Sequence, residues 1–100
     1  MAPHGDDVLV TGVGALTPLG ATAAESWDGL LAGRSGIRDL GPDWPEELPV
    51  RIAGTVEADL TAAIGRAQAR KLDRGEQLAV VAARQAWEDA GVPRVEPERL

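Results

Sequence analysis

One hundred residues with 44% hydrophobic content suffice for one small globular domain with its own core. A net charge of −6 argues against nucleic acid and anionic membrane as partners. Without a cysteine, the sequence can form no disulfide, no thiolate metal site and no thiol nucleophile. Residues 1–7, Met1-Ala-Pro-His-Gly-Asp-Asp7, read as a flexible acidic tail. They lack the basic and apolar regions of a secretory signal, and no apolar stretch approaches the ~18 residues of a spanning helix, so a cytoplasmic protein is expected. The single histidine, His4, lies in that tail and reads as neither catalytic nor metal-ligating.

Val8-Leu-Val10 then opens into Thr11-Gly12-Val13-Gly14. The apolar run does not alternate with polar residues, which predicts a strand over 8–12 buried on both faces, the signature of a central strand in an α/β sheet. A dinucleotide site fails on spacing. Gly12 and Gly14 fit the first two glycines of the fingerprint, but Thr17 occupies the third position and Pro18 follows. No Gly-Lys-Ser/Thr appears, so a phosphate-cradling loop fails too, and the glycines read as a tight turn after the strand.

A second turn, Thr17-Pro-Leu-Gly20, precedes Thr22-Ala-Ala-Glu25, a capping box for a helix over about 22–32. Ala24, Trp27, Leu30 and Leu31 share one face, from which Trp27, Leu30 and Leu31 are expected to point inward, with Gly33 as the terminator. The proline-bearing stretch Asp39 to Pro49 predicts an irregular loop, with Trp44 plugging it onto the core. Alternation from Val50 to Val56 predicts a partly exposed strand. Leu60, Ala63, Ile64 and Ala67 mark the buried face of a helix over about 60–70, weakened at Gly65 by about 1 kcal/mol relative to Ala. The last helix, about 74–90, is capped by Asp73 with Glu76 in the box position and ends at Gly91 and Pro93. Leu78 to Ala83 is apolar all round, so burial on most sides is expected, with Arg84, Glu88 and Asp89 on the polar face.

The run Glu25-Ser-Trp-Asp-Gly-Leu-Leu-Ala-Gly-Arg-Ser-Gly-Ile37, following Val10-Thr-Gly-Val-Gly14 and Thr17-Pro-Leu-Gly20, resembles the amino terminus of a β-ketoacyl synthase. Ile52-Ala-Gly-Thr-Val56, Arg70-Lys-Leu-Asp-Arg74 and the helix Gln77 to Gly91 agree with that family in order and spacing. One departure is Gly75, which stands where the family usually carries a bulky hydrophobic residue.

The resemblance implies that residues 8–100 are the amino-terminal portion of a thiolase-like layered αβαβα fold, incomplete in this chain. It implies decarboxylative condensation of an acyl thioester with a malonyl unit in fatty-acid or polyketide biosynthesis, without a cofactor. In the family a cysteine thiol holds the acyl group and two histidines stabilise the charge on the malonyl carbonyl, all well downstream of the matched segment. No catalytic residue carries over to this sequence. The expectation is an amino-terminal piece of a longer enzyme, acting with an acyl carrier protein and forming a homodimer or a synthase–partner heterodimer. The alternatives are a non-catalytic thiolase-fold partner, such as a chain-length subunit, and a short carrier-binding module.

One patch is a candidate for a local function. Arg66, Arg70, Lys71 and Arg74 cluster after a stretch, residues 1–60, holding 3 basic and 10 acidic residues. Arg66 and Arg70 are one helical turn apart. In the family, basic residues at the positions of Arg70 and Lys71 help dock the acidic carrier protein. The competing reading is a solvated helix face pairing with carboxylates such as Asp73. Because the thiol is missing, residues 1–100 incubated with acyl and malonyl carrier proteins are expected to show no acyl-enzyme by intact mass. A thioester-linked acyl group on this polypeptide would contradict that expectation.

Overall fold

The computed structural model describes Ala2 and residues 4–99. Its elements in order are α1 (Ala23–Leu31), β1 (Ile37–Asp39), β2 (Ile52–Gly54), α2 (Leu60–Ile64), α3 (Arg66–Ala69), α4 (Arg74–Asp89) and a short 3-10 turn (Pro97–Arg99). β1 and β2 pair antiparallel, with Arg38 opposite Ala53. The tail expected over residues 1–7 lies partly outside the described residues. Within it, the Asp7 carboxylate accepts from the His4 amide and closes an exposed turn.

α4 is the spine. Its start is fixed reciprocally: the Asp73 carboxylate accepts from the Glu76 amide at 2.8 Å, and the Glu76 carboxylate accepts from the Asp73 amide at 2.9 Å. Its end follows the Schellman pattern, with the Gly91 amide donating to Glu88 O and the Val92 amide to Trp87 O, both at 2.9 Å. That closure holds the β-branched Val92 at φ 53°, a conformation that disfavours it.

The strand expected over 8–12 is not formed. No strand runs beside it among the described residues, so its backbone has no ladder, and Val8, Leu9 and Val10 are 98%, 60% and 84% exposed rather than buried on both faces. What seats this segment is the glycine pair that follows. A Cβ at Gly12 would lie 2.7 Å from Ala90 N and run into Ala86 O; a Cβ at Gly14 would lie 2.8 Å from Ala86 N and run into Ala82 O. The two glycines are needed for close approach to α4 over the small residues Ala82, Ala86 and Ala90. Two α4 side chains then fasten the backbone. The Val13 amide donates to Asp89 Oδ2 at 2.9 Å, and the Ala15 amide donates to Gln85 Oε1 at 3.0 Å. The Gln85 amide group also donates to Ala21 O at 2.6 Å, so one side chain stitches both ends of the Ala15–Ala21 stretch.

The Thr17–Gly20 turn closes on itself through two backbone bonds. The Thr17 hydroxyl reaches the Ser26 hydroxyl at 2.7 Å; Ser26 sends its own proton to Thr22 O, which makes Thr17 the donor. This turn sits against α1 on the face carrying Ser26 and Gly29, and those two small residues are the buried ones. Trp27, Leu30 and Leu31, expected inward, are 59%, 60% and 68% exposed. The turn approaches so closely that only the small-residue face fits against it: a Cβ at Gly20 would lie 2.9 Å from Ser26 N. Thr22 caps α1 as expected, but Glu25 reaches back to the Ala21 amide rather than to Thr22.

The expected strand over 50–56 shortens to Ile52–Gly54, and its partner Ile37–Asp39 was unforeseen, lying partly in the predicted loop. Arg51 organises that loop, donating to Gly41 O at 3.1 Å and to Pro45 O. Trp44 does not plug it, being 48% exposed. The predicted helix over 60–70 is two helices, because Gly65 adopts φ 96°. The buried apolar core is Leu60, Ile64, Ala69 and Val81, where α2 and α3 meet α4, whereas Ala63 and Ala67, expected on the buried face, are exposed. Within Leu78–Ala83 only Val81 is buried, not most of the run, because the described elements cover α4 on too few sides. The radius of gyration, 17.4 Å, exceeds the roughly 13 Å of a compact domain of this length.

The glycine contact yields a test. Gly14→Ala is expected to destabilise the protein by about 1–3 kcal/mol, since the added methyl meets backbone that cannot yield. Gly75→Ala, whose methyl would meet only the Asp73 carboxylate at 3.4 Å, is expected to be neutral or to stabilise by up to about 1 kcal/mol. Denaturant midpoints of the two variants measure the contrast, and equal midpoints would contradict it.

Candidate functional site

The four basic residues fall on one short stretch: Arg66 opens α3, Arg70 ends it, Lys71 lies in the turn and Arg74 opens α4. Beneath them lies the core. Ala69 is buried and Leu72 packs against the same cluster, so the alternation of apolar and basic positions drives the cations outward. Arg66, Arg70, Lys71 and Arg74 are all exposed. The Arg70 amide donates to Arg66 O at 3.2 Å, which confirms that these two are one helical turn apart.

Pairing with local carboxylates is not what the structure shows. Asp59 caps α2 through the Ala62 amide at 3.0 Å. Asp73 and Glu76 are committed to each other's backbone at the start of α4. Among the described residues the ion pair is Arg38–Glu57, at 3.5 Å, away from this stretch. The nearest acids thus serve as helix caps, and the cationic charge of Arg66, Arg70 and Lys71 faces solvent. Arg74 differs from the other three, since its guanidinium donates to Val56 O at 2.7 Å and ties the start of α4 to the segment after β2.

Two further α4 residues support this stretch. The Gln77 amide donates to Ala69 O at 3.0 Å and to Leu72 O at 3.2 Å. Arg84 donates to Gln68 Oε1 at 2.9 Å and to Ala63 O at 3.5 Å. Arg84 was placed by periodicity on the polar face, and its partner is α3 rather than solvent alone. Gln77 was missed as a contributor. Its only sequence signal is a long amide side chain one turn into a helix, where it can reach back to the preceding turn.

Residues 5–99 match the family of the β-ketoacyl synthase, N-terminal domain. The chain belongs to the β-ketoacyl synthase family. It is 37% identical over 86 residues to a 3-oxoacyl-[acyl-carrier-protein] synthase 2 of Coxiella burnetii, covering 85% of this chain and 21% of that protein. It is 36% identical over 96 residues to the enzyme of the same name from Mycobacterium leprae, covering 94% of this chain and 23% of that one. It is 40% identical over 96 residues to the tetracenomycin polyketide synthase ketoacyl synthase alpha subunit of Streptomyces glaucescens, covering 93% of this chain and 22% of that one. The chain therefore spans about a fifth of the length of these curated relatives.

In this β-ketoacyl synthase segment the basic stretch depends on the cap that follows it. Asp73→Ala removes a bond to an orphan helix amide, for an expected cost of about 1 kcal/mol, whereas Asp73→Ser retains most of the stability. Chemical denaturation of the two variants checks this, and equal losses would show that the cap does not set the start of α4.

Proposed function

We propose that this chain is part of a β-ketoacyl-[acyl-carrier-protein] synthase of fatty-acid or polyketide biosynthesis, with the thiolase-like layered fold of that family. Within it, the segment supplies scaffold and a docking surface for the acyl carrier protein made by Arg66, Arg70, Lys71 and Arg74. The family match over residues 5–99 carries the enzymatic part of this reading. The docking part is carried by four exposed cations that form no ion pair with the neighbouring carboxylates among the described residues. An acidic carrier meets there a positive field that the rest of the sequence does not have: residues 1–60 hold 10 acidic and 3 basic residues. Such complementarity raises the encounter rate and sets orientation more than it adds affinity.

Condensation itself needs a thiol that ionises readily, attacks the incoming thioester and leaves again when the malonyl carbanion attacks. No residue of this sequence provides one. The chemistry is therefore proposed for the protein in which this segment works, and not for residues 1–100 by themselves. No helix among the described residues is long and apolar enough to cross a membrane.

The test is charge reversal in the protein of full natural length. With Arg70→Glu and Lys71→Glu together, carrier-dependent turnover is expected to fall by about 10-fold or more as steering is lost. Acylation from a small thioester, which needs no docking, serves as the reference reaction. Raising salt should depress the wild type more than the double variant, because exposed charges are screened beyond about 8 Å at physiological ionic strength. Unchanged carrier-dependent rates would make the basic stretch an ordinary solvated surface.

A further inference from the structure

The turn that presents Arg70 and Lys71 has few bonds of its own. The Lys71 amide donates to Gln68 O at 3.0 Å and the Leu72 amide to Ala69 O at 3.2 Å. Leu72 packs against the core, and a further constraint comes from α4. The Gln77 side-chain amide donates to both Ala69 O and Leu72 O, at 3.0 and 3.2 Å. Those two carbonyls bracket the Arg70–Lys71 pair in the chain, so one planar amide group holds the peptide on each side of the two cations. Gln77 is half-buried between the core and the turn, while Arg70 and Lys71 are exposed. Gln77 therefore cannot meet a large partner as they do, but it sets the direction in which they leave the surface.

We propose that Gln77 is a positioning residue for carrier docking: by clamping Ala69 O and Leu72 O it pre-organises Arg70 and Lys71 in the geometry that the bound carrier requires. This rests on the docking reading above. The physical expectation separates the two roles. Long-range attraction depends on how many charges are present, and those are untouched when Gln77 changes, so the association rate is preserved. The lifetime of the complex depends on how well the contacts are pre-set, so the dissociation rate rises when the clamp is lost.

The experiment measures association and dissociation of an acyl carrier protein with the protein of full natural length. Gln77→Met keeps the length and the apolar stem but removes the donor. It is expected to raise the dissociation rate about 5-fold while leaving the association rate and its salt dependence within about 2-fold. Amide exchange at Leu72 should quicken in the same variant. The reference variant, Arg70→Glu with Lys71→Glu, is expected to lower the association rate about 10-fold or more. If the reference variant behaves so and Gln77→Met leaves dissociation unchanged, the positioning role is overturned and docking stands. If the reference variant changes nothing, docking itself fails, and this inference with it. A Gln77→Met protein that only loses its binding-competent fraction, with normal rates in the remainder, shows a fold residue and overturns the proposal. Should that variant not fold, Gln77→Asn, one methylene too short to span both carbonyls, takes the same measurement; failure of both to fold likewise assigns Gln77 to the scaffold.

Discussion

Gly12 and Gly14 lie so close to the backbone of α4 that neither position has room for a Cβ. The stretch from Val13 through α1 is positioned through that contact. Asp89 and Gln85 fasten Val13 and Ala15 to the helix, Gln85 reaches on to Ala21, and the Thr17–Gly20 turn then sets α1 in place through Ser26. The attraction is not hydrophobic burial of large side chains. It is dispersion between closely apposed backbones, supplemented by hydrogen bonds to amides that no strand ladder satisfies. That is why the residues involved are glycines and alanines with one Asp and one Gln.

The opposite face of the same helix organises the charged surface. α2 and α3 bury Leu60, Ile64 and Ala69 against Val81, while Gln77 and Arg84 bind the carbonyls and side chain of the α2–α3 stretch. The carboxylates of Asp59, Asp73 and Glu76 cap helices, and among the described residues none of them forms an ion pair with the nearby cations. The stretch from Arg66 to Glu76 holds four exposed cations against two carboxylates, a locally basic patch on an acidic protein. One helix thus serves as packing surface for the glycine segment and as support for the proposed docking turn.

Local signals were the ones legible in the sequence. The caps at Thr22 and Asp73, the helix ends at Gly33 and Gly91, and the extents of α1 and α4 all follow from residues within one or two turns. The family is legible for the same reason, because its motifs are short and recur in fixed order. Burial was not legible, since it depends on neighbours far apart in the chain. Val8–Val10 and Leu78–Ala83 carry the patterns of buried elements, but among them the described structure fully buries only Val81. Trp27, Leu30 and Leu31 form a hydrophobic stripe by spacing, yet the turn chooses the adjacent small-residue face. β1 escaped notice because three residues offer no periodicity, and the break at Gly65 because a weak helix position gives no warning of a positive φ. For the site, the four cations were visible as a cluster. The Gln77 clamp was not, since a side-chain bond to two carbonyls leaves no pattern.

The claim that α4 is the element to which the glycine segment is fastened is tested most directly by amide hydrogen exchange at Val13 and Ala15. Neither residue lies in a helix or strand, yet their amides are bonded to Asp89 and Gln85. The account predicts slow exchange at both, with Gln85→Leu selectively releasing Ala15. Exchange at Val13 and Ala15 as fast as at the exposed turn around Asp7 would show that the glycines are not seated on the helix, and would contradict it.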